Sequence, residues 1–262
     1  MDDIADEPPS DGLLDDDSGE LGLLGDPSSE PEPTPSRTLV VVLAAGAGSR
    51  YSGDTHKLEA LVGDRTVAEH SIMAAVASGV GDVVVITGAS QPNPETMSAL
   101  SRATANDDTT GDDTTGDDTT GDDTTGDDTT GETVQFIYNA DWAEGQASSL
   151  QVALAEAGRV EVDAIVVGLA DQPGVTPEAW RRVAASQSPI AVATYDGVRG
   201  NPVRLHHSIW EMLPSTGDHG ARSLMQLHPE LVEQIPCAGS AHDIDTREDL
   251  QLWQSRSSTS SP

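Results

Sequence analysis

The chain has one cysteine, one lysine and, across 262 residues, only 3% aromatic side chains. The single thiol, Cys237, excludes an intramolecular disulfide and any cysteine-built zinc site, and it fits a reducing compartment. No apolar run approaches the roughly 18 residues that span a bilayer, and the first residues carry no basic stretch of the kind that opens a signal peptide. The expectation is a cytoplasmic protein with no membrane partner. Bases are scarce as well: 13 of them stand against 45 acids, for a net charge of −32. Such a surface repels nucleic acids and anionic lipid headgroups, so neither is an expected partner.

The acidity is unevenly spread. Residues 1–36 hold twelve acids and no base, and five perfect Asp-Asp-Thr-Thr-Gly copies from Asp107 to Gly131 hold ten more. Without those two stretches, 23 acids still face 13 bases. A dense carboxylate surface with almost no lysine suits a cytoplasm rich in salt, where self-repulsion is screened, and a halophilic source is the hypothesis. The two acidic stretches lack the apolar residues that would offset ordering entropy. They read as a disordered tail over 1–36 and a disordered insertion over 105–132, with a second short tail over 255–262. One α/β domain over 37–254 is the remainder.

Within that domain, strands alternate with helices. Leu39–Leu43, Asp82–Thr87 and Asp163–Leu169 are apolar on both faces, as strands buried inside a parallel sheet are. Helical spacing over 67–80, 148–157 and from Pro177, with further strands at 133–138, 190–195 and 198–205 and a closing helix from about Thr246, predicts a mostly parallel three-layer sandwich. In such sheets ligands sit beyond the carboxyl ends of the strands.

The first strand runs into Ala44-Ala45-Gly46-Ala47-Gly48-Ser49, a loop with almost no side-chain bulk. Its backbone N–H groups can approach a ligand closely and point at phosphate oxygens; a tight strand-to-helix turn would ask for the same small residues. The cations Arg50 and Lys57, the latter the sole lysine, lie where they could meet the same phosphates. Tyr51 stands where the dinucleotide fingerprint needs glycine, and Leu58 follows Lys57 where a P-loop needs Ser or Thr. Asp171, directly after the third apolar strand, belongs to the same crevice and is a candidate Mg²⁺ ligand or a turn aspartate before Pro173. Asp245 either completes a metal site or precedes a plain capping pair of Thr246 and Asp249.

Six motifs in order, LAAGAGSR with Lys57, then Asn139 and GQASSL (145–150), LADQP (169–173), RGNPV (199–203), GDHGAR (217–222) and DIDTREDL (243–250), resemble the molybdenum cofactor cytidylyltransferase-like NTP transferases, relatives of the molybdopterin guanylyltransferases. The resemblance covers about residues 38–253. It implies a Rossmann-like nucleotidyltransferase fold that transfers CMP from CTP to molybdopterin and releases pyrophosphate. It also implies roles. Leu43, Ala44, Ala45, Gly46, Ala47, Gly48 and Ser49 would hold the nucleotide, with Arg50 and Lys57 on the triphosphate and Ser149 near base and ribose. Asp171 and Asp245 would bind Mg²⁺, with Asp243 the alternative second ligand. Arg199, Gly200, Pro202, Gly217, Asp218 and Arg222 would face the acceptor. Arg50, Lys57 and Asp171 would carry the chemistry. Ala45 and Gln172 match the cytidylyl branch, while Tyr51-Ser52 and Glu59 depart from the family pattern. A molybdenum hydroxylase apoenzyme is the implied recipient. Two alternatives remain: a guanylyl or sugar-phosphate transferase of the same fold, or a non-enzymatic factor that delivers finished cofactor.

Overall fold

Five consecutive fully buried residues, Leu39–Leu43, make β1 (Thr38–Ala44) a central strand, since only a strand covered on both faces can be apolar throughout. The computed structural model describes residues 37–49, 51–52, 55–92, 96, 100 and 134–259, with side chains through 255. The expected tail at 1–36 and insertion at 105–132 therefore lie outside the described residues, as does Arg50. A two-residue-per-strand hairpin, β2 (Leu61–Val62) and β3 (Arg65–Thr66), follows the loop and leads into α1 (Val67–Val76). Thr66 and Glu69 close a reciprocal capping box at the start of α1.

Next come β4 (Val83–Thr87), β5 (Val134–Tyr138), α2 (Gln146–Arg159) and β6 (Ala164–Leu169). They are followed by α3 (Pro177–Ala184), β7 (Ile190–Tyr195) and β8 (Val198–His206). The turn between β7 and β8 is Asp196-Gly197, both at positive φ (51° and 80°), the conformation that a two-residue hairpin demands. The chain closes with α4 (Arg222–Leu227), β9 (Val232–Pro236) and α5 (Arg247–Thr259). Helix α5 runs past residue 254, where the sequence reading ended the domain.

Seven strands form one sheet in the order β5-β4-β1-β6-β8-β7-β9, and only β8 runs against the rest. Successive residues of β1 point to opposite faces. Val40 and Val42 pack with α1 and α3 through Ile72, Val183 and Trp180, while Leu39, Val41 and Leu43 pack with α2 and α4 through Leu150, Leu154 and Leu224. These are the two helical layers of a three-layer α/β sandwich. Among the described residues no helix is long and apolar enough to cross a membrane.

Two features missed in sequence bear on the site. Strand β9 is an edge strand with no buried residue, too polar to read as a core strand, yet it adds to β7. It hands the chain to residues 237–245, which run back along the end of β6: Ser240 N–H donates to Gly174 O and Ile244 N–H to Asp171 O. Ile244, 1% exposed, is buried with Ala60, Val62 and Val67. In an extended segment the residues on either side of an inward side chain face the other way. That places Asp243 and Asp245 together at the carboxyl end of β6.

Candidate active site

The glycine loop is held from beneath by His56, a residue the sequence reading did not single out. Its Nδ1 accepts the Leu58 N–H, so the proton sits on Nε2, which donates to Gly46 O at 3.1 Å. Gly48 has φ 61°, and a Cβ there would come within 2.8 Å of that same imidazole. Glycine is required on both counts. A Cβ at Gly46 would meet nothing within 4 Å, because this part of the loop faces open space.

His56 caps the short 3-10 turn Lys57–Glu59, which turns Lys57 inward. Its ammonium donates to Asp171 Oδ2 at 2.6 Å and to Asp245 Oδ1 at 2.9 Å. The three side chains are 10%, 18% and 19% exposed. Burial opposes the charge on Lys57, but Asp171, by charge and hydrogen bond, and then Asp245 hold its pKa above the ordinary lysine value. Burial also pushes the Asp171 carboxyl above the usual carboxylate range, with Lys57 pulling it back and Asp243 and Asp245 adding to the rise. Asp171 Oδ1 is buried without a hydrogen-bond partner.

That orphaned oxygen, beside a second carboxylate and a phosphate-sized loop, fits a divalent cation. Among the described residues no three His, Cys, Asp or Glu side chains close around one point. Mg²⁺ suits such a sparse donor set, because it is commonly held by one or two carboxylates with substrate phosphates and water completing the shell. The capping pair exists too. The Asp245 and Thr246 N–H groups both donate to Asp249 Oδ2, and Asp249 N–H donates to Thr246 Oγ1. The two readings of this stretch are compatible, since the cap fixes the backbone that carries Asp245.

Leu43, Ala44, Ala45, Gly46, Ala47, Gly48, Ser49, Lys57, Ser149, Asp171 and Asp245 all line one cavity of about 540 Å³. Trp142, Gln146 and Asp243 join them there. Trp142 packs on Gly88, where an added Cβ would lie 2.6 Å from the Trp142 Cβ and 2.7 Å from Ala45 O. A second cavity of about 400 Å³ adjoins the first, and Leu43, Gln146, Leu169, Arg222 and Asp243 border both. It takes Arg199 and Gly200 at its mouth and Leu150, Val167, Val192, Val203 and Leu205 along its floor. Pro202 is buried in β8 and lines neither cavity. Asp218 lines the first cavity rather than the second, and Gly217 shows why: its carbonyl accepts from Ala147 N–H and its N–H donates to Glu144 O, so the 217–222 loop folds onto the start of α2.

Gln172, 5% exposed, ties the two cavities together. Its Nε2 donates to Asp243 Oδ1 (2.6 Å) and to Ala241 O (3.1 Å), while its Oε1 accepts from Asn201 Nδ2 (3.0 Å). The arrangement places a glycine loop, a Lys–Asp–Asp constellation and a neighbouring cationic cavity at the carboxyl ends of β1 and β6. Chemically it can hold a polyphosphate, neutralise its charge and set an anionic acceptor against it.

Comparison with known proteins gives the family and the fold. Residues 40–234 match the MobA-like NTP transferase domain, and the chain belongs to that family of nucleotidyltransferases. Solved structures share the fold. Rv0371c from Mycobacterium tuberculosis H37Rv is 23% identical, with a TM-score of 0.56 over 85% of this chain and 99% of that one. A nucleotidyl transferase from Methanothermobacter thermautotroptrophicus (Mth528) is 19% identical, with a TM-score of 0.62 over 86% and 99%. The inositol-1-phosphate CTP transferase from T. maritima is 13% identical, with a TM-score of 0.58 over 84% and 96%. Another structure of Rv0371c, 22% identical with a TM-score of 0.53 over 84% and 99%, is a complex with manganese. No curated protein matches the sequence.

Proposed function

We propose that this MobA-like NTP transferase moves the CMP of CTP onto the phosphate of molybdopterin, in the cytoplasm and with Mg²⁺ as its metal. The observation that carries the reading is the Lys57 ammonium set between Asp171 and Asp245 at the mouth of the glycine loop. Around it, one cavity suits a nucleoside triphosphate. The adjoining one has Arg199 and Arg222 for an anionic group and an apolar floor for a flat ring system. The likeness to CTP-using folds and the motifs of the cytidylyl branch, Ala45 and Gln172, favour cytosine.

In this reaction an oxygen of the acceptor phosphate forms a bond to the α-phosphorus. The bond from that phosphorus to the bridging oxygen of the β-phosphate breaks, and pyrophosphate departs with the electron pair. A phosphate acceptor is ionised at neutral pH, so no general base is needed. Positioning and charge neutralisation supply most of the catalysis. The backbone N–H groups of 44–49 orient the triphosphate, Lys57 and Arg50 neutralise the departing pyrophosphate, and Arg199 and Arg222 hold the acceptor. Asp171 and Asp245 would hold Mg²⁺, which when bound supplies charge neutralisation across the phosphates. The product is passed to a molybdenum hydroxylase apoenzyme. We read the acidic surface as adaptation to high salt.

The test is product identification by mass after incubating the protein with molybdopterin, Mg²⁺ and equal CTP and GTP. A cytidylylated pterin is expected. A guanylylated product would move the protein to the guanylyl branch, and no nucleotide-bearing pterin would refute the assigned acceptor.

A further inference from the structure

Asn139, 2% exposed at the end of β5, has an amide whose orientation the surrounding atoms determine. The Asp141 backbone N–H donates to its Oδ1 at 3.0 Å, and a backbone N–H can only donate, so the other end of the amide is nitrogen. That nitrogen has two hydrogens. It donates to Ser148 Oγ at 2.9 Å and to Ser149 Oγ at 3.0 Å, both on the first turn of α2. Ser148 spends its own proton on Asp141 O or Gly145 O, each at 2.9 Å. Ser149, 3% exposed, lines the nucleotide cavity, and its hydroxyl accepts from Asn139. No acceptor among the described residues takes its proton.

We infer that Asn139 is a positioning residue that fixes the polarity of the Ser149 hydroxyl, so that the protein presents a proton donor to the nucleotide at the start of α2. The inference rests on the nucleotide reading of this cavity. The ligand atom it selects is a hydrogen-bond acceptor, either a ribose hydroxyl oxygen or a ring carbonyl oxygen of the base. A neutral amide is essential to the device. A carboxylate at position 139 would keep the acceptor for Asp141 N–H but offer Ser149 another acceptor, and the hydroxyl would turn away from the ligand.

The experiment measures the dissociation constant and KM for CTP with Asn139→Asp, Ser149→Ala and the double variant. Each single change is expected to weaken CTP about threefold to tenfold, the scale of one net hydrogen bond, with the loss on KM. The double variant should be no worse than Ser149→Ala, because both changes remove the same bond. Should Asn139→Asp fail to fold, Ser149→Ala alone still decides: binding as tight as wild type overturns the inference. So does a double variant whose losses multiply. With dCTP as ligand, a penalty that disappears assigns the ribose 2′-oxygen as partner; one that disappears only with 2′,3′-dideoxy-CTP assigns the 3′-oxygen, and one that persists with both assigns the base carbonyl. Wild-type protein that binds none of the four NTPs refutes the nucleotide reading and the inference with it; wild type that binds CTP beside an unaffected Ser149→Ala refutes the inference alone.

Discussion

Replacing Lys57 by methionine keeps an unbranched stem one atom shorter and removes the charge, leaving Asp171 and Asp245 facing each other without a counter-ion. The ammonium lies 2.6 and 2.9 Å from the two carboxylates. Taking one partner out of a fully buried ion pair costs about 3–5 kcal/mol. The carboxylates here are 18% and 19% exposed, so water recovers part of that, and about 2–4 kcal/mol is expected. For a domain of this size each kcal/mol moves the melting point by about 2–4 °C, so Lys57→Met should melt roughly 5–15 °C lower in a chelating buffer. Adding Mg²⁺ or Mn²⁺ should restore most of the difference, because the cation then supplies the missing charge. The pKa of Lys57 lies above its ordinary 10.5, so the stabilisation is complete below pH 10.5 and is lost as pH rises through the folded value. The gap between variant and wild type should stay constant through neutral pH and close on the alkaline side. Turnover should fall about a hundredfold or more. Scanning calorimetry with and without the cation reads the result: a variant as stable as wild type in chelator, and no more responsive to metal, would show that the ammonium does not neutralise this carboxylate pair.

Asp171→Asn should abolish turnover together with the divalent-metal requirement; a fully active variant removes Asp171 from the metal. In the wild type, the raised Asp171 pKa means that its carboxylate protonates above the usual 3.8 as pH falls, so Mn²⁺ affinity should decline earlier on acidification than an exposed aspartate allows, and a midpoint at or below 3.8 counts against the burial argument. Gly145, at φ 103°, has Asp218 and the Gly217 carbonyl pressed against the place of a Cβ; Gly145→Ala should cost about 1–3 kcal/mol and loosen CTP binding, and an unchanged melting point and affinity would contradict it. If the acidic surface is a salt adaptation, the melting temperature should climb from dilute buffer to molar KCl, and a flat profile would dispose of that idea.

Much of the sheet was legible because its central strands are buried on both faces, and β1, β4 and β6 declare that with unbroken apolar runs. Edge strand β9 and the β2–β3 hairpin, with two residues in each strand, carry no such run and went unseen. Helix α4 begins at Arg222, the last residue of the GDHGAR motif, and has only six residues, too few to show a helical period. The rarity of lysine pointed to Lys57, but not to its partners, which lie 114 and 188 residues away in sequence. Nothing local marks such a distance; the 237–245 return along β6 creates the contact. His56 escaped notice for the opposite reason, since its task of bracing Gly46 and Gly48 depends on a three-dimensional approach within ten residues. The motif around Asp218 implies an acceptor-side role, and the backbone bonds of Gly217 set this residue in the cavity that Lys57 and Asp171 line.

The central claim is that the loop after β1, with Lys57, Asp171 and Asp245, drives nucleotidyl transfer to a phosphate acceptor. Pyrophosphate release from each of the four NTPs, with and without molybdopterin and in the presence of Mg²⁺, tests it most directly. Release with CTP that depends on molybdopterin and disappears in Lys57→Met is the predicted result; no pyrophosphate from any NTP with the acceptor present would contradict the account.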